Sequence, residues 1–205
     1  MTIYDIGGAL LRAYWKLTSF RGVSAFGLPN PGPVAIKAVD DANTKAVLSV
    51  REEGRNAGRY VLTYLKSVFL GAGNPWCQAF VCYRLIKAAH TLGTVLPKDF
   101  PKTGSTVVMS NWGKKKGWWI SRADVELKRA APMKGDLAFF YKPSLGRIGH
   151  VGLVLEVTDQ GVWTVEGNTG PSAGNGVNRD GDGVYKKFRP WNALGLKGGF
   201  VRLPF

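Results

Sequence analysis

The spacing of apolar residues changes period once along this chain, and that change limits what it can fold into. Between Pro33 and Ala89 apolar side chains recur mostly at helical spacing. From Leu137 onward they fall in short runs separated by tight turns, the pattern of strands. Helices first and strands last predict an α+β fold, with the short strands forming an antiparallel sheet or small barrel. At 205 residues and 45% hydrophobic content the chain is long enough for one sizeable core with a small appendage.

Taken in order, Ile3, Ile6, Leu10, Tyr14 and Leu17 predict a helix over residues 1–20. It either covers part of its own domain or docks on a partner or a membrane surface. Residues 21–33 hold three glycines and three prolines and read as a linker. The predicted division is therefore residues 1–33 as helix and linker, and 34–205 as the main domain. Pro33 opens a helix from Val34 to Glu53, stopped by Gly54. Residues 58–68 form another short helix. Residues 91–135 are mixed. Predicted strands are 137–142, 149–157, 161–166, 184–189 and 199–203. No internal repeat or low-complexity tract interrupts this order.

Asn74-Pro75 blocks helix upstream, and helical spacing resumes at Cys77 with Phe80, Val81, Tyr83, Leu85, Ile86 and Ala89. Cys77 thus sits in the first turn of a helix. Free backbone N–H groups and the positive dipole end there favour a thiolate, which is a nucleophile at neutral pH. Cys82, mid-helix, reads as a small core residue. Two cysteines five apart on one helix face different ways, so no disulfide is expected.

A cysteine nucleophile needs a base, and the chain has two histidines. His90 lies thirteen residues beyond Cys77 on the same helix, about 20 Å away. That leaves His150, at the start of a strand. Glu166 and Asn168 lie at the end of the next strand. If the two strands pair as a hairpin, either side chain reaches one imidazole nitrogen and leaves the other for the thiolate.

The net charge of +14 implies an anionic partner: nucleic acid, an anionic membrane surface or an acidic wall polymer. Lys114-Lys115-Lys116 stand between Trp112 and Trp118-Trp119. Such interleaving either stacks on bases or sugars or sends tryptophans into the core. No apolar run reaches 18 residues, so no transmembrane helix is expected. The first residues lack the basic and cleavage-site features of a signal peptide.

The segment Pro75-Trp76-Cys77-Gln78-Ala79-Phe80-Val81 resembles the nucleophile motif of CHAP amidase/peptidases, relatives of the NlpC/P60 superfamily with a papain-like core. Gly135-Asp136-Leu137, Gly149-His150-Val151-Gly152 and Val165-Glu166-Gly167-Asn168-Thr169 resemble the family's histidine and Glu-x-Asn strands. Arg51-Glu52-Glu53-Gly54 with Asn56 and Gly58 resembles its lead-in, and Gly181-Asp182-Gly183-Val184 with Arg189 its closing strand. The resemblance covers about residues 35–203. It implies helices packed on a C-terminal antiparallel sheet, and cleavage of an amide or peptide bond in peptidoglycan through a thioester. Cys77 matches the nucleophile, His150 the base and Glu166 the third member. Asn168 matches a residue orienting the histidine or the oxyanion, and Trp76 and Gln78 are expected to bind substrate. Papain-like enzymes often carry a Gln six residues before the cysteine. Here that position is Gly71, so backbone N–H groups are expected to form the oxyanion hole. No cofactor or metal is expected. Gly54 to Cys77 contains no Asp or Glu, and Asp180-Gly181-Asp182-Gly183 lacks the remaining ligands of a calcium loop.

The resemblance and the missing leader together suit a phage endolysin, a virion-borne lysin or an injected effector amidase. For a virion-borne lysin, the partner of residues 1–20 would be the phage particle. The site of action would be the wall, from the periplasm or outside. A papain-like acyltransferase and a basic nucleic-acid-binding module are the competing readings. Nucleic acid is not the expected partner.

Overall fold

A computed structural model describes residues 27–171 and 181–205. The expected helix over 1–20 lies outside the described residues, as does Asp180.

A central helix, α4 (Cys77–Thr91), is buried over most of its surface and organises the rest. Helix α1 (Pro33–Ala42) and helix α3 (Arg59–Lys66) pack beside it. Beneath lies a six-stranded sheet, every neighbouring pair antiparallel. Its strands are β1 (Trp119–Ser121), β2 (Leu137–Lys142), β3 (Arg147–Val157), β4 (Gly161–Thr169), β5 (Gly183–Pro190) and β6 (Gly199–Val201), in spatial order β1-β6-β2-β3-β4-β5. The fold is α+β, helices first and antiparallel sheet last, as the change of period predicts. Alternation along β2 sends Leu137 and Phe139 to the helix-side core and Ala138 and Phe140 to a second core.

Three expectations change. The helix from Val34 to Glu53 breaks after Ala42, resumes as one turn, α2 (Lys45–Leu48), and then extends. Arg51 bridges Gly183, Val184 N–H donates to the Val50 carbonyl and Glu52 N–H to the Asp182 carbonyl. The edge of β5 thus takes backbone groups that a continuing helix would have kept. Second, residues 27–33 are not a free linker. Leu28 packs into the second core, and Arg202 Nη1 donates to the Pro29 carbonyl at 3.0 Å. Gly32 lies so close to the Phe205 backbone that a Cβ there would collide with it, which makes glycine necessary. Third, Arg84, a charged residue between the apolar positions of α4, is buried with them. It donates to the Tyr64 hydroxyl at 3.0 Å and lies over the rings of Tyr64, Phe80 and Tyr83.

Helix α3 ends in an unusual way. Leu70 N–H donates to the Leu65 carbonyl and Phe69 N–H to that of Lys66, the pattern of a left-handed helix stop. The left-handed residue is Phe69, with φ of 63°, where glycine is usual, and its side chain is 82% exposed. A left-handed non-glycine residue costs roughly 1–2 kcal/mol, part of which glycine's extra chain entropy cancels. Phe69→Gly is therefore expected to stabilise the protein by about 1 kcal/mol, read as a rise in melting temperature of ~2–4 °C. No rise would mean that the ring has packing partners in solution.

Helix α5 (Thr106–Lys115) is capped by Ser105, whose Oγ accepts from Val108 N–H at 3.3 Å. The aromatic–lysine stretch that follows packs inward. Trp112 is buried against Phe100, Trp118 and Phe205. Lys114 lies 4.4 Å over the Trp119 ring, and Lys116 lies 5.9 Å over that of Trp118 while pairing with Asp99. All three tryptophans thus pack against other residues of the chain, and Trp118 and Trp119 stay half-buried.

Candidate active site

Cys77 is the first residue of α4, so its side chain leaves the helix where backbone N–H groups are unpaired. The approach to it is anchored. Glu52 Oε1 accepts from Trp76 Nε1 at 2.6 Å and Glu52 Oε2 from Asn56 N–H at 2.8 Å. Gly73 N–H donates to the Asn56 carbonyl at 3.0 Å, and Asn74 Nδ2 to that of Gly71 at 3.1 Å. Trp76 itself is fully buried in a cluster with Tyr64 and Phe80. It offers no surface to a substrate, and its role is to hold the helix start. Gln78 is equally buried, with its amide on Cys82 Sγ at 3.4 Å. Substrate binding expected of these two residues therefore falls to others.

Strands β3 and β4 pair as a hairpin, with Leu153 opposite Val165. This register puts His150 Nε2 2.8 Å from Glu166 Oε2, both residues fully buried. Of the two residues the sequence leaves open as imidazole partners, Glu166 takes the place. Asn168 lies nearby in chain, buried with φ of 56°, and neither atom of its amide has a hydrogen-bond partner among the described residues. His150 Nδ1 is left facing no other nitrogen or oxygen partner, and the Cys77 thiol lies within hydrogen-bonding reach of the ring. The three side chains thus stand in line: thiol, imidazole, carboxylate. His90 sits exposed at the far end of α4.

Glu166 has two further supports to which the sequence assigns no such role. Arg189 donates through Nε to Oε1 at 2.7 Å and through Nη2 to Oε2 at 2.5 Å, and Thr164 Oγ1 donates to Oε1 at 2.6 Å. Thr164 was legible in principle, since two residues along a strand share a face. Arg189 needed the register of β5 on β4, which places it opposite Val162.

The electrostatics follow from this geometry. Burial alone would raise the Glu166 pKa, but the Arg189 hydrogen bonds and charge, with the imidazole, hold it well below the usual carboxylate range. Burial opposes charge on His150 as well. The Glu166 charge and the hydrogen bond from Cys77 outweigh it, so its pKa is raised. The Glu166 carboxylate and the Cys77 sulfur thus both favour the charged ring that burial opposes. Burial pushes the Cys82 thiol up, against the weaker effects of the Gln78 amide that donates to its sulfur and the Thr103 carbonyl that accepts from it. Among the described residues no group of three or more His, Cys, Asp and Glu could hold a metal ion.

A groove of about 520 Å³ opens beside the nucleophile, lined by Cys77, Leu70, Lys102, Thr106, Arg147 and Gly149 among others. Its volume is in the range of ligand-binding clefts.

Residues 70–168 match the family model of the CHAP domain, a shorter span than the 35–203 over which the motifs resemble the family. No curated protein matches the chain. A solved structure titled "The crystal structure of Ly7917" is similar at 14% identity and a TM-score of 0.36, over 62% of this chain and 53% of that one. The chain thus spans about half the length of that protein.

Proposed function

Residues 70–168 match the CHAP domain, and we propose that the chain is a CHAP-type peptidoglycan hydrolase that cuts an amide or peptide bond with Cys77 as nucleophile. The observation that carries the reading is the line Cys77–His150–Glu166, its last member fixed by Arg189 and Thr164. The Cys77 thiolate attacks the scissile carbonyl carbon. Its oxygen gains the negative charge, which backbone N–H groups at the start of α4 stabilise. The C–N bond breaks as the His150 imidazolium gives its proton to the leaving amine, and a thioester remains. Water then attacks the thioester with His150 taking its proton, releasing the acid and the thiolate. Glu166 holds the ring so that Nδ1 faces sulfur. Asn168, two residues beyond Glu166 and with a buried amide that has no partner among the described residues, is assigned the support of the oxyanion or the ring.

A protein of net charge +14 suits an anionic wall, and the proposed setting is the cell wall, reached by a phage lysin or a comparable enzyme. No described helix is long and apolar enough to cross a membrane. The test is mass spectrometry of fragments released from purified peptidoglycan. New amine and carboxyl ends produced by wild type and not by Cys77→Ala support hydrolysis and identify the bond. Products joined to an added amine would indicate an acyltransferase instead. Absence of either product overturns the proposal.

The pH profile tests the role of Glu166. The active form pairs thiolate with imidazolium, so kcat/KM rises as the pair forms and falls as the imidazolium loses its proton. With the His150 pKa raised, that fall lies above its ordinary value of 6.5. Glu166→Gln removes the charge that raises it. The basic limb is expected to move to lower pH and the peak rate to drop about 100-fold or more. An unmoved limb would show that Glu166 does not set the imidazole.

A further inference from the structure

The groove beside Cys77 carries a charge pattern that the hydrolase reading leaves unused. Arg147 and Lys102 both line it, and no Asp or Glu does. Elsewhere acids meet their own cations: Lys37 with Asp41, Lys116 with Asp99, Arg122 with Glu126, Lys134 with Asp40. Arg147 and Lys102, both exposed, have no such partner among the described residues. Arg147 is also aimed. Its Nη1 donates to the Ile148 carbonyl at 3.1 Å, the same carbonyl that accepts Thr106 Oγ1 at 2.9 Å from the first residue of α5. That leaves the other guanidinium donors for a ligand. Helix α5 opens at this wall, so its dipole adds potential of the same sign.

We propose that this groove selects peptides carrying a free carboxylate close to the scissile amide, received by Arg147 with Lys102 beside it. The assignment rests on the hydrolase reading for the position of the scissile bond and names the substrate class it would take. Arg147 precedes His150 by three residues, about 10 Å along an extended strand. An extended peptide covers that distance in about three residues, so the carboxylate belongs to a residue flanking the cleaved bond. A guanidinium binds a carboxylate through paired hydrogen bonds that a carboxamide cannot reproduce with charge. The class is therefore wall peptides with free rather than amidated carboxylates.

The test uses two synthetic stem peptides, identical except that the carboxylates are free in one and carboxamides in the other. kcat/KM is measured with wild type, and Kd by calorimetry with Cys77→Ala, which needs no turnover. Free carboxylates should be preferred roughly 10- to 100-fold in both measurements. Arg147→Gln should shrink that preference to within a few-fold, Lys102→Gln should reduce it less, and Arg147→Lys should keep part of it. Both side chains are exposed, so these variants are expected to melt as wild type does. Equal kcat/KM and Kd for the two peptides, binding of neither, or a preference that survives the double Arg147→Gln, Lys102→Gln change overturns the assignment. If wild type binds the free-carboxylate peptide preferentially yet cleaves no peptide, the hydrolase reading fails and the carboxylate assignment stands.

Discussion

Cys77→Ala is expected to lower peptidoglycan hydrolysis by about 10⁴-fold or more, and Cys77→Ser by nearly as much. Cys82→Ser should stay within a few-fold of wild type. The contrast comes from two environments on one helix. Cys77 is the first residue of α4, beside His150, at the edge of an open groove. A serine there keeps the geometry but offers a hydroxyl that the imidazole deprotonates far less readily than a thiol. Cys82 is fully buried, and its sulfur faces the carbonyls of Thr103 at 3.4 Å and Pro101 at 3.7 Å. A serine hydroxyl fits that site and has the nearer carbonyl, that of Thr103, to donate to. The measurement is release of soluble fragments from purified wall by each variant, with melting temperature as the folding control. Full activity in Cys77→Ala would end its assignment as nucleophile. Equal loss from Cys82→Ser at unchanged melting temperature would show that the sulfur chemistry is not confined to the helix start.

Arg202→Ala is expected to destabilise the fold by ~3–5 kcal/mol without touching the reacting groups. Asp136 and Arg202 are both fully buried. Arg202 donates to Asp136 through Nε at 2.6 Å and Nη2 at 3.0 Å. It also donates to the carbonyls of Pro29 and Ala131 at 3.0 and 2.9 Å, while Met133 N–H reaches Asp136 at 2.8 Å. One guanidinium therefore ties the start of β2 and the loop before it to residues 27–33 and the chain end. Removing it leaves a buried carboxylate with one backbone donor and frees two part-buried carbonyls. A domain of this size should lose about 6–20 °C in melting temperature. The loss should depend on pH. Burial pushes Asp136 up to about 6 even with Arg202 opposing it. Without Arg202 its acid form is favoured at still higher pH, so the variant binds a proton on folding where wild type does not. Its deficit should narrow as pH falls from 8 towards 6. A melting temperature within 2 °C of wild type at pH 8 would mean that the pair contributes little beyond its packing.

The order of elements was legible because each is written locally. Apolar spacing marks helix or strand within a dozen residues, and Asn74-Pro75 marks where α4 starts, so local sequence is enough to place Cys77 at a helix N-terminus. The nearness of His150 to Glu166 was also legible, since a hairpin joins residues sixteen apart through its own register. Partners chosen by the tertiary structure were not. Whether Glu166 or Asn168 takes the imidazole depends on which side chain the strand turns towards it, and both alternatives fit the sequence. Arg189 reaches Glu166 from 23 residues away on another strand, and Arg202 reaches Asp136 from 66. Trp76 and Gln78 flank the nucleophile in sequence, yet packing buries both and leaves substrate contact to the walls of the groove. The helix expected to run to Glu53 stops early because its last backbone groups pair with β5. Local periodicity determined what each segment is. Long-range hydrogen bonding and burial, which no local pattern encodes, decided what each polar side chain touches.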